Sequence, residues 1–145
     1  MNMFKDVLAC LDLGEEESAI RVVEAALEVM DEGDTLHVMC VVPDYGSSLV
    51  SSFFPKDHEQ DMIAHANEAL HAFTAQHIPE GTRLQHITAH GSIYEEIISA
   101  ADSGDVDLIV VGSHRPALKD YLLGPNAARV VRHARQSVMV VRLPE

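Results

Sequence analysis

Short apolar runs alternate with helix-period segments along the whole chain, and that alternation leaves few folds open. Val7-Leu-Ala-Cys-Leu11 is a five-residue apolar run, the length of a strand buried on both faces. Ala19, Val22, Val23, Ala26, Leu27 and Met30 then keep the spacing of an amphipathic helix, and Asp31-Glu-Gly33-Asp34 ends it. Leu36 to Val42 is a second, nearly all-apolar strand. Ile63, Ala66, Leu70 and Phe73 mark a second helix, and Arg83 to Ala89 alternates weakly, as an edge strand does. A third helix follows Gly91. Its Ser92 and Glu95 have capping-box spacing, and Tyr94, Ile97, Ile98 and Ala101 form its apolar face. Leu108 to Val111 is a strand, Ala127, Val130, Val131 and Ala134 line one side of a last helix, and Val138 to Val141 is a last strand. Five strands and four helices in strict alternation predict an α/β fold. Right-handed crossovers make its sheet parallel, with helices on both faces.

At 145 residues the chain is expected to be one domain spanning 1–145. It holds no apolar run long enough to cross a membrane and no secretory signal, which predicts a cytoplasmic protein without membrane insertion. A net charge of −13 excludes non-specific nucleic-acid binding. The charge is uneven. Residues 112–143 hold Arg115, Lys119, Arg129, Arg132, Arg135 and Arg142 against the single acid Asp120. Two readings stand: a helix with a solvated basic face, or positive charge kept beside an anion site. Pro43 to Asp57 is an irregular insert that carries Tyr45, Leu49, Val50, Phe53 and Phe54, the composition of a packed loop, a lid or a partner surface. Cys10 and Cys40 sit inside apolar runs and read as buried reduced thiols. A redox pair is open only if the two runs bring them together.

In such sheets ligands bind at the carboxyl ends of the strands, where the strand order reverses. Asp12, Val41-Val42 and Gly112 all fall at such ends. After Gly112 comes a loop that closes on Gly124-Pro125-Asn126 at the start of the last helix, and a helix N-terminus preceded by glycine is a natural anion site. The nine histidines show no HExxH pattern and there is no CxxC, so no metal site is expected. The P-loop and Gly-x-Ser-x-Gly patterns are absent, and no catalytic triad is favoured.

These pieces together resemble the universal stress protein family over essentially the whole length. They are the first strand ending at Asp12, the Leu36–Val42 strand, Gly91 before the third helix, and Gly112…Gly124 followed by Ser137-Val-Met-Val-Val141. Ser113-His-Arg-Pro and Tyr121-Leu-Leu-Gly-Pro-Asn-Ala-Ala-Arg-Val-Val-Arg-His-Ala are similar to the F/G-type branch. The resemblance implies a Rossmann-like, adenine nucleotide alpha hydrolase-like sheet. It also implies a homodimer paired through the C-terminal strand, with Val138, Val140 and Leu143 at the contact, and in many members an ATP site. The family's motif is Gly-x2-Gly-x9-Gly-(Ser/Thr). Its first and third glycines correspond to Gly112 and Gly124. Its second falls on Arg115 and its Ser/Thr on Pro125, and the segment is one residue short. Asp12 corresponds to the adenosine-contacting acid and Val41 to the adenine-side backbone contact, while Cys10 stands where a proline is common. Arg115 gives up close backbone approach but offers a bidentate phosphate donor; His114 beside it is a weaker candidate. Pro125 removes one N–H while suiting a first helical turn.

The expected site is therefore Asp12, Val41, Gly112, His114, Arg115, Gly124, Pro125 and Asn126, binding ATP or a related adenine nucleotide, with or without Mg, and signalling through conformation to an unknown protein partner. Two alternatives stay open. One is a nucleotide-free dimeric adaptor. The other is a slow ATPase or autophosphorylating protein, for which Asp12 and His114 are the only candidate groups.

Overall fold

A computed structural model describes residues 3–43, 58–113 and 124–142. Its order is β1 (Asp6–Cys10), α1 (Glu16–Glu28), β2 (Thr35–Pro43), α2 (His58–His77), β3 (Arg83–Gly91), α3 (Ile93–Ser103), β4 (Leu108–Gly112), α4 (Pro125–His133) and β5 (Ser137–Val141). The five strands form one parallel sheet in the order β3-β2-β1-β4-β5. The α/β architecture expected from the alternation is the one observed, and β3 is the edge strand its weak alternation predicted.

Side chains alternate across a strand, so each strand feeds two cores. Val7, Ala9, Leu36, Val38 and Val110 face α1 and α2, where they meet Ala19, Val22, Val23, Leu70 and Phe73. Leu8, Met39, Ile109 and Val111 face α3 and α4, where they meet Ile97, Ala101, Ala127 and Val130. Strands buried on both sides carry no polar face, which is why β1, β2 and β4 read as continuous apolar runs. At the amino end of the sheet Asp107 Oδ2 accepts the N–H groups of Lys5 and Asp6, each at 3.0 Å, and fixes where β1 starts against β4.

The same register settles the cysteines. Cys10 pairs with Met39, one residue short of Cys40. Cys10 therefore packs toward the α3–α4 core while Cys40 lies in the other. The two thiols are on opposite faces of the sheet, so the redox pair is excluded. Mild oxidation is expected to leave the intact mass of the chain without the loss of two hydrogens that an internal disulfide would give.

Three local expectations need correction. Ser92 is the N-cap of α3, but its side chain makes no cap hydrogen bond, and Glu95 instead accepts the Tyr94 hydroxyl at 3.2 Å. The capping box does not form. In α4 only Ala127 and Val130 are buried, and Val131 is 46% exposed. That helix is nine residues long and ends before Ala134, so its buried stripe is narrower than the apolar pattern suggests. Finally, Val138 and Val140 turn inward against the α3–α4 core. What β5 offers outward is its backbone edge rather than an apolar face. Leu143 lies outside the described residues.

Candidate functional site

β1 connects to β2 on one side, while β4 returns to β1 on its other side, so the chain parts at the carboxyl ends of β1 and β4. A cleft of about 1240 Å3 opens there. Its floor is the strand ends: Cys10-Leu11-Asp12, Val41-Val42-Pro43 and Val111-Gly112-Ser113. Its walls are Glu17, Ser18 and Arg21 of α1, Met62, His65, Ala66 and Ala69 of α2, Ile93 and Ile97 of α3, and Gly124 to Ala127 at the start of α4. The structure thus brings together Asp12, Val41, Gly112, Gly124, Pro125 and Asn126, residues from four separate stretches of chain. His114 and Arg115 lie outside the described residues, as does most of the aromatic insert.

Each gathered residue has a local reason for its place. Asp12 Oδ1 accepts the Gly14 N–H at 3.1 Å, which turns the chain from β1 into α1. Its exposed carboxylate makes no other recorded bond among the described residues, so the second oxygen can accept from a ligand. A Cβ on Gly112 would stand 3.0 Å from Ser18 Oγ and 3.4 Å from Val22 Cγ2. Glycine there lets β4 end flush against α1, a packing reason that operates with or without a ligand. Gly124 has φ −70° and ψ 164°, the extended conformation of an ordinary N-cap. Its backbone imposes no glycine. It lines the cleft in front of α4.

Pro125 is the first helical residue, and the first bond of the helix runs from Ala128 N–H to the Gly124 carbonyl at 2.9 Å. The N–H groups of Asn126 and Ala127 precede that bond, and the positive end of the helix dipole points with them. The other helix starts are charged against an anion. Glu16 and Glu17 occupy the first turn of α1, Glu59 and Asp61 that of α2, and Glu95 and Glu96 that of α3; α4 has no acid there. Its basic residues, Arg132 and His133, are in the last turn. In a protein this acidic, α4 is the one described helix whose own first turn carries no carboxylate.

Among the described residues the cleft's cysteines are not activated nucleophiles. Cys10 lies at its floor, but desolvation pushes that thiol up to about 12, and burial also raises Cys40 despite its hydrogen bond with Thr88. No group of three or more His, Cys, Asp or Glu positioned to hold a metal occurs among the described residues. No helix among them is long and apolar enough to cross a membrane.

The sequence pattern did not reveal Gly14, Ser18, Arg21 or the α2 wall. Ser18 and Arg21 flank the apolar stripe of α1, which says that they leave the core but not that they meet a cleft. The fully buried residues of α2 begin only at Leu70, so its first half, with Ala66 alone packed against the core, is left to line the cleft.

The model of the universal stress protein family matches residues 3–142. This chain belongs to that family. It is 28% identical over 142 residues to universal stress protein G of Escherichia coli O157:H7, covering 97% of this chain and 100% of the relative, in line with the F/G-type resemblance. Among solved structures, hypothetical protein MJ0577 of Methanocaldococcus jannaschii superposes with a TM-score of 0.83 at 22% identity over 99% of each chain. A universal stress protein solved in complex with cAMP superposes with a TM-score of 0.52 at 19% identity, covering 99% of this chain and 100% of that one. Both have the same Rossmann-like fold.

Proposed function

We propose that this universal stress protein binds ATP or a related adenine nucleotide in the strand-end cleft and signals its occupancy through conformation. The observation that carries the reading is the acid-free start of α4, opening into the same cleft as Asp12 and Val41. The phosphate belongs at Asn126 and Ala127, where two N–H groups and the dipole converge. The base and ribose belong toward Asp12 and the Val41 backbone, because the Glu15–Glu17 rim of α1 repels phosphate. The cAMP-bound relative supports a nucleotide in a fold of this kind. Arg115 would add a phosphate donor and His114 a weaker polar contact, with Gly112 and Gly124 keeping the approach open. ATP is bound with or without Mg; the described residues offer no metal cluster of their own. The chain acts as one domain in the cytoplasm, and a homodimer forms through the outer backbone edge of β5, which has no described strand partner.

Calorimetric titration of nucleotide-stripped protein with Mg-ATP and, separately, with cAMP tests the reading. Binding at about 10 μM or tighter is expected. No heat and no thermal shift at millimolar concentrations of either would overturn it. The second reading, a nucleotide-free dimeric adaptor, is favoured by one observation: Pro125 occupies the position whose N–H a phosphate would use. Slow ATP hydrolysis or autophosphorylation needs a base near the terminal phosphate, and Asp12 alone among the described residues is a candidate.

A further inference from the structure

We propose that α2 is a proton-operated wall of the cleft: beside its core contacts it is held on β3 by two histidine contacts, and protonation loosens the one between His71 and His86. The cleft-lining stretch of α2, Met62 to Ala69, is bracketed by them. On the amino side, Glu59 Oε1 pairs with His90 Nδ1 at 2.7 Å. On the carboxyl side, the His71 ring stacks on the His86 ring with centroids 3.8 Å apart and planes within 16°. His86 Nε2 also lies 2.8 Å from Thr74 Oγ1. The Thr74 hydroxyl donates to the His71 carbonyl at 3.1 Å, so its oxygen must accept from His86, and Nε2 carries the hydrogen. A further proton can only go to Nδ1, which makes an imidazolium lying flat against His71.

Among the described residues no carboxylate is recorded against that ring to receive the charge. From α2, His86 faces His71 and Thr74. From β2 it has Val38 in register and the Cys40 thiol on the same face, and along β3 it has Leu84 and Thr88. Asn67 of α2 is bonded to Thr88. Burial, and then the His71 charge, hold His86 below the usual imidazole range.

The sign follows. Above the ordinary imidazole pKa His86 is neutral and the stack contributes fully. As pH falls through that value, the unfolded chain takes a proton that folded His86 resists, and the contribution is lost until His86 itself charges. Acid therefore weakens the contact of α2 with β3 at His71 and His86, next to the cleft-lining stretch Met62 to Ala69, and loosens that stretch. Cys40 lies beneath, its Sγ 3.8 Å from the Ala66 carbonyl.

The motion does not depend on the nucleotide reading; only its consequence for binding rests on that reading. The test is amide hydrogen exchange of ligand-free protein at about pH 7.5 and about pH 5.5, corrected for intrinsic rates. It compares the wild type with His86→Phe, which keeps a flat ring for His71. Wild-type α2 amides around 63–70 are expected to lose protection by at least about threefold in acid, and those of His86→Phe to change little. Should His86→Phe not fold, His71→Phe at its exposed position serves the same purpose. Unchanged wild-type protection, or an equal loss in the variant, overturns the proposal. ATP titrations at both pH values form the second arm, and ATP's own protonation cancels between the two proteins. Weaker acid binding in wild type alone supports the coupling; pH-independent binding beside a loosened α2 overturns it. Acid loosening with no ATP binding at either pH upholds the wall and overturns the nucleotide reading instead.

Discussion

Gly124→Asp is expected to leave the fold as stable as before, or slightly more so, while removing nucleotide binding. The two effects have opposite signs because they use the same groups. Gly124 already has the extended N-cap conformation, so aspartate fits without backbone strain. Its carboxylate would accept from the Asn126 or Ala127 N–H and complement the dipole, worth about 0.5 kcal/mol of stability. A phosphate would then find its donors taken and a negative charge in its place. Each charge-assisted hydrogen bond is worth about 1.5–3 kcal/mol, so loss of two exceeds a hundredfold in affinity. The measurement is a thermal melt beside a calorimetric titration of both proteins. A variant that melts lower and binds as before would show that Gly124 is required by the chain, not by a ligand. Gly124→Ala serves as the contrast, since it adds bulk without charge and caps nothing.

That experiment separates ligand from scaffold at a position where the sequence could not. The sheet was legible because burial on both faces demands unbroken apolar runs, and Leu8, Val38 and Ile109 have no other place to go. The strand ends were legible for the same reason, so Asp12, Val41 and Gly112 could be brought to one cleft before any coordinates. Finer features were not, since they depend on neighbours distant in sequence. Val131 belongs to an apolar pattern, yet α4 is too short and too narrowly packed to bury it. Ser92 and Glu95 have capping-box spacing, but Tyr94 offers Glu95 another partner. The stack of His71 on His86 joins a helix to the following strand, and no periodicity within either element reports it. Cys10 and Cys40 were undecided until the register put them one residue out of step.

Gly112 carries the second large effect, and here the family motif and the packing give the same residue for different reasons. Gly112→Val is expected to cost about 2 kcal/mol, a fall of roughly 7 °C in Tm for a domain of this size. A Cβ alone would press on Ser18 Oγ, and that hydroxyl can rotate aside. The γ methyls of valine would also meet Val22, which is 1% exposed and packed in the α1 core, with no room to give. The milder pair, Gly112→Ala with Ser18→Gly, then separates the two reasons. Removing the Ser18 side chain makes space for the added methyl, so the double variant should melt close to Ser18→Gly alone. If packing is why glycine stands at 112, ATP affinity returns with stability. If the nucleotide needs to approach the backbone there, the double variant folds normally and still binds weakly. Either result assigns the first glycine of the motif to one cause, because the structural clash lies on the α1 side of β4 and can be relieved without touching the start of α4.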